Sequence, residues 1–256
     1  MIELIWKEHM EGVRKKQYFA IGILLIGFAM LAPIMMKALP ALLESQTGSQ
    51  EMAAAIPVNL RESLRSFVKN MHQIATLLLV YLGAGQIAYE RNQRLVFPLH
   101  AGLNLQSLIW TKALVYGLAI LLLSLGASAV TVIYGQLLLP GNWQATSLIG
   151  WMGMELGLYL FFAYLTGMIF ASWIRNKMLA TVLGAMTLFL IGWLAGYTDY
   201  AWLFPTYLMA EVNYLTPYWT KPLVSCLMMV LVWSVLMIQA IGWKLNRTNM
   251  TVREDS

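Results

Sequence analysis

Six stretches of the chain, 17–36, 70–89, 113–154, 156–174, 178–198 and 222–243, contain no Asp, Glu, Lys or Arg. A helix needs ~20 predominantly apolar residues to cross the hydrocarbon core of a bilayer. The third stretch is too long for one crossing, and Pro140, Gly141 and Asn142 in "LPGNW" break it with a turn. Spans are therefore expected near 18–38, 71–89, 113–138, 147–174, 178–197 and 222–243. All must be helical, because unpaired backbone groups are too costly in lipid. Composition agrees: of 256 residues, 59% are hydrophobic and only 11% are charged, whereas an ordinary soluble domain is about a quarter charged. The fold class is all-α, a polytopic membrane protein with six transmembrane helices preceded by an amphipathic interfacial helix, in a single domain over 1–256.

The net charge of +5 does not point to nucleic acid, because the basic residues cluster at the ends of the apolar segments. With an even number of crossings both termini share one side. Twelve of the 17 lysines and arginines fall there, among them Arg14, Lys15, Lys16, Arg91, Arg94, Lys112, Arg175 and Lys177. The positive-inside rule makes that side cytoplasmic, so the expected location is the cell membrane, multi-pass, with both termini cytoplasmic. The first apolar run is longer than the 7–15 residues of a signal peptide core and ends in "MMKALPALL". It reads as a retained span.

Residues 1–16, "MIELIWKEHMEGVRKK", place Ile2, Ile5, Trp6, Met10 and Val13 at helical spacing, with Glu3/Lys7 and Glu11/Lys15 as i, i+4 pairs. This predicts a helix lying in the membrane interface. In the first loop on the other side, "NLRESLRSFVKNM" puts Leu60, Leu64, Phe67, Val68 and Met71 on one face, with Asn59 placed to cap. An amphipathic helix running into the second span is expected. Its Arg61, Arg65 and Lys69 either face solvent and headgroups or meet an anionic ligand. The segment from Tyr197 to Trp219, dense in aromatic residues and broken by Pro205 and Pro217, reads as an interfacial belt. Gly153/Gly157 and Gly192/Gly196 have the four-residue spacing that lets membrane helices approach closely.

Catalytic motifs are missing. There is no G-x-x-x-x-G-K-[ST] and no H-E-x-x-H. The serine in "GASA", 126–129, has no histidine deep in a span to serve as its base. One cysteine, Cys226, excludes an intrachain disulfide, and the three histidines lie in three separate segments. No catalytic residue, no metal site and no cofactor held by this chain are expected. Two polar residues lie within spans. Glu155 in "GWMGMELGLYL" is costly in lipid and belongs in the bundle interior or a cavity. Gln86 in "YLGAGQIAYE" is either an interhelical hydrogen-bond donor or part of a path.

The remaining feature is a polar, broken, basic interlude, "YERNQRLVFPLHAGLNLQSLIWTK" at 89–112. Pro98 and Gly102 bend the chain before an expected short helix at 103–111, with Asn104 or Gly102 at its start. Such a device suits docking to a cytoplasmic partner; the alternative is a basic loop that only fixes orientation. The parts "YERNQR" at 89–94, "LVFPL" at 95–99 and "LIWTKAL" at 108–114 resemble the cytoplasmic loop between spans two and three in ABC-2 type transporter permeases. The Gly-Thr that usually follows the acidic-basic pair is replaced around Gln93–Arg94–Leu95, and the usual proline position falls near Gly102. The resemblance implies a permease domain over the whole chain, with 90–112 as a coupling loop and 244–256 as a cytoplasmic tail. It implies Glu90, Arg91, Arg94, Pro98, His100, Gly102 and Asn104 as the residues that contact the ATPase. It also implies two copies of a separate P-loop ATPase subunit, which bind ATP and Mg, and a second permease copy, identical or paralogous. Export then runs along a path between spans two and five at the permease–permease interface, with Gln86 and Glu155 as candidate lining residues. The alternative is an ion-coupled carrier or channel in which Glu155 binds the coupling ion.

Overall fold

The computed structural model describes residues 2–47, 57–89, 105–139, 146–210 and 219–254. Among them no strand occurs, and six helices are long and apolar enough to cross a membrane. Helix α1, Ile2–Arg14, is followed by α2, Gln17–Thr47, which runs through Pro33 and Pro40. Between them Lys16 takes the left-handed conformation, φ 54°, which non-glycine residues adopt mainly at turns. Helix α3, Leu60–Asn70, passes through a π turn at Met71–Ala75 into α4, Thr76–Tyr89. Then come α5, Leu105–Leu138, α6, Thr146–Trp173, α7, Lys177–Ala195, and α8, Lys221–Glu254. Short 3-10 turns at Ala201–Leu203 and Pro205–Met209 lie between the last two.

Side-chain contacts fix the up-and-down order. At one end Glu8 meets Lys112, Gln86 meets Gln17, Gln106 meets Gln239, and Lys177 lies against Gly85. The roots of α2, α4, α5, α7 and α8 are thus gathered with α1 at the end that carries the termini. At the other end Leu60 lies against Gly135, Cys226 Sγ approaches the Phe204 carbonyl, and Trp151 packs edge-on against Trp219. The chain is an all-α, multi-pass membrane protein.

Burial ranks the spans. In the most apolar window of α6, 72% of residues are buried, against 28% in α8 and 33% in α2 and α7. Helix α6 is the axis of the bundle and α4 its main partner. The outer faces of α2, α7 and α8 carry exposed large apolar side chains such as Ile23, Met186 and Leu236, as lipid contact requires.

The α4–α6 crossing rests on two glycines. A Cβ on Gly83 would lie 2.0 Å from the Tyr164 carbonyl oxygen, and one on Gly167 would lie 2.1 Å from that of Val80. Backbone touches backbone there, the closest approach helices can make. Of the two glycine pairs singled out from spacing, Gly153 and Gly157 do pack on α5, at Leu125 and Leu121. Gly192 instead faces Thr206 of a 3-10 turn, and Gly196 meets only the carbonyl of Trp193 among the described residues. Among the described residues that second pair joins no two spans.

Helix α3 forms as its sequence dictates. The Asn59 side chain accepts the Glu62 amide at 2.9 Å, and Leu60, Leu64, Phe67, Val68 and Met71 are all buried. The helix expected at 103–111 is present from Leu105 and is continuous with the third span in α5, and α8 runs on as helix through Glu254, into the segment expected as a tail. Continuous apolar spacing from Leu105 to Ala113 lets α5 start early. The Pro140–Gly141–Asn142 turn and Pro217 lie outside the described residues.

Replacing Gly167 by leucine should cost about 3 kcal/mol or more, because backbone cannot yield to a side chain as another side chain can. Gly126→Ala, where an added Cβ meets nothing within 4 Å, should be neutral. Thermal unfolding of the two variants in detergent checks both.

Candidate functional site

The densest polar grouping among the described residues lies at the terminal end. Helix α1 presents two sides. Ile2, Trp6, Met10 and Val13 are exposed, whereas Glu8 and Gly12, one turn apart, are buried against the bundle. Gly12 makes room there: a Cβ would lie 2.5 Å from the Tyr18 ring, which would have to shift. The left-handed turn at Lys16 folds α1 back so that Glu8 reaches the interior. Lys15 donates to Glu11 at 2.5 Å, and Lys7 lies 3.6 Å from Glu8.

Lys112, two turns into α5, donates to Glu8 Oε2 at 2.5 Å, and neither side chain is exposed to solvent. Its ammonium also approaches Gln86 Oε1 of α4 at 3.4 Å. Gln86 Nε2 donates to Gln17 Oε1 of α2 at 2.8 Å, and the Tyr116 hydroxyl donates to the same oxygen. Rings extend the cluster: His9, Tyr18, Tyr116 and Tyr164 follow one another with centroids 5.6, 5.6 and 5.4 Å apart. Five helices, α1, α2, α4, α5 and α6, thus meet at one place.

The electrostatics explain the arrangement. An ammonium cannot be buried among apolar helices without a counter-charge, and Glu8 supplies it. Removing one partner of a buried pair typically costs ~3–5 kcal/mol, because the other charge is stranded. Lys112, Gln86 and Tyr116 direct their donors at acceptors on other helices of the cluster, so it works as a joint between helices; the Tyr18 and Tyr164 hydroxyls have no hydrogen-bond partner among the described residues. Its position gives the joint meaning. Helices α4 and α5 are the two that bracket residues 90–104, and the cluster ties both roots to α1.

Gln86 is therefore an interhelical donor in this joint. Glu155 lies elsewhere, between two and three turns into α6 from the opposite end, fully buried. Neither of its carboxylate oxygens has a well-formed hydrogen bond among the described residues. The Trp151 indole, one turn away, is its polar neighbour. The two residues stand at different levels of the bundle and form no common site. Glu90, Arg91, Arg94, Pro98, His100, Gly102 and Asn104 lie outside the described residues.

Sequence reasoning missed Glu8 and the role of Lys112, which spacing suggested was an orientation charge at the mouth of a span. A signal existed in both places. Glu8 falls off the apolar stripe of α1 and in line with Gly12, and Lys112 sits inside an uninterrupted apolar helical pattern. Compared with known proteins, the chain matches no family model, and no curated protein matches it in sequence.

Lys112→Met should lower stability by about 3–5 kcal/mol. Adding Glu8→Met should restore most of that loss. Chemical denaturation in detergent of the two single variants and the double variant measures it.

Proposed function

We propose that the chain is the membrane-spanning permease subunit of an ATP-driven exporter of the ABC-2 type, worked by a separately encoded ATPase. The observation that carries this reading is the buried Glu8–Lys112 pair with Gln86 and Gln17, which binds the interfacial helix to the roots of both helices that bracket residues 90–104. A force applied to that segment would be delivered to α1, α2, α4 and α5 together. This suits a chain that has no nucleotide-binding loop of its own. Hydrolysis of ATP, with its Mg, then belongs to two copies of the partner, and this chain is not an enzyme.

In this reading the terminal end faces the cytoplasm, where its excess of Lys and Arg belongs. Arg91 and Arg94 meet the ATPase. A second permease copy, identical or paralogous, packs against one of the exposed apolar flanks, and α4 and α7 line the path.

One observation favours a second reading. Glu155 is a fully buried acid without a well-formed hydrogen bond, the condition of a group that takes up and releases a coupling ion. In that case the chain is an ion-driven carrier.

The two readings separate experimentally. In the first, a soluble P-loop ATPase co-purifies from native membranes. Arg91→Glu with Arg94→Glu then leaves insertion intact but lowers coupled ATP turnover at least about tenfold, equivalent to ~1.4 kcal/mol of lost coupling. Unchanged turnover in that double variant contradicts it. In the second, Glu155→Gln abolishes transport and an ion gradient alone drives it.

A further inference from the structure

At the end of the bundle opposite the termini, a cavity of ≈ 580 Å³ opens between α3, the π turn, α7 and the 3-10 turn at Pro205–Met209. Its walls are of two kinds. Arg65 and Lys69, one turn apart on α3 and both exposed, contribute cationic groups, and His72 in the π turn follows them. Phe189 and Trp193 of α7 contribute an aromatic wall, and Trp193 is 60% exposed on the lipid-facing side of the bundle.

Two residues of this lining, His72 and Thr206, each hold a buried polar atom, Nδ1 and the hydroxyl, with no hydrogen-bond partner among the described residues. Buried polar atoms are normally satisfied, and these two stand on residues of one cavity wall, beside the exposed cations of α3. The π turn adds to this, because such turns interrupt helices frequently at functional sites. Here it sits where α3 gives way to α4, at His72.

We propose that this cavity binds an anionic phospholipid from the adjoining leaflet. The phosphate would sit between Arg65, Lys69, His72 and Thr206, and the acyl chain would leave along Phe189 and Trp193. Each part of the lipid finds its match. Arg65 lies 3.6 Å from Glu62, but a guanidinium has five N–H donors and serves a phosphate as well. Turned into the cavity, the His72 ring with its proton on Nδ1 donates to a phosphate oxygen, and so does the Thr206 hydroxyl. Tyr197 and Tyr200, 75% and 64% exposed just past α7, mark the depth of the headgroups. A soluble anion would use the cations but leave the aromatic wall without a role. The inference is independent of the exporter reading, since it needs neither ATPase nor transport.

The test uses the full chain reconstituted in bilayers of mixed phosphatidylglycerol and phosphatidylcholine, released into the gas phase and weighed with its retained lipid. The wild type should retain phosphatidylglycerol in preference to phosphatidylcholine. Arg65→Gln with Lys69→Gln should lower that retention roughly tenfold or more, as loss of two cations near a membrane surface implies. Lys37→Gln with Arg61→Gln, which removes two charges from the same end but not from the cavity, should leave it unchanged. Thr206→Val, which alters no charge, should also reduce retention, and it keeps the test decisive should the double cavity variant misfold. Short-chain phosphatidylglycerol in detergent should raise Tm where inorganic phosphate does not. Equal retention in wild type and Thr206→Val, an equal loss in the control pair, or an equal rise in Tm from phosphate overturns the proposal.

Discussion

The structure depends on a charge that cannot be buried alone. Lys112 lies inside α5 with no exposure to solvent, and it is held there by the carboxylate of Glu8 at 2.5 Å. Without that partner the ammonium would have to leave the interior, and the root of α5 would have to move with it. The pair in turn fixes α1, because Glu8 reaches the interior only when α1 is folded back over the left-handed turn at Lys16 and seated through Gly12 on the Tyr18 ring. A short helix that would otherwise be one more amphipathic segment at the interface becomes part of the bundle. Gln86 and Gln17 extend the same constraint to α4 and α2.

A second constraint stiffens what the joint holds. At Gly83 and Gly167 the backbones of α4 and α6 are in contact, so these two helices cannot slide past each other through side-chain adjustment. Tyr164, stacked on Tyr116 and adjacent to Gly83, links the crossing to the polar cluster. A displacement imposed at the terminal end of α4 is therefore passed to the most buried helix, while α7 and α8, with far more lipid-exposed surface, are freer to adjust. In the proposed exporter this division separates the part that is pushed from the part that moves against lipid or a second copy.

Much of the fold was legible in the sequence for simple physical reasons. Lipid allows only helices at that length and polarity, so the chargeless stretches, divided at Pro140–Asn142 and joined across Glu155, became six spans. Helix α3 was legible down to its cap, because Asn59 and the period of Leu60, Leu64, Phe67 and Val68 are local signals. The joint was not legible. Its partners Glu8 and Lys112 are far apart in the chain, and a lysine near the mouth of a span looks the same whether it faces headgroups or a buried carboxylate. Nor did the four-residue glycine rule find Gly83 and Gly167, since the crossing uses one glycine from each helix. Spacing along a single helix reports only on pairs such as Gly153 and Gly157. The cations of α3 were visible in the sequence, but their relation to His72 and Thr206 depends on where α7 and the 3-10 turn come to rest.

The central claim is that α1 is fastened to the helix roots by the buried ion pair and not merely by the membrane interface. Hydrogen–deuterium exchange of the protein in nanodiscs, comparing wild type with Lys112→Met, addresses it directly. The account predicts that amides of α1 lose protection in the variant while those of α6 around Gly167 keep theirs. Unchanged protection of α1 would contradict it, because the interface alone would then be holding the helix in place.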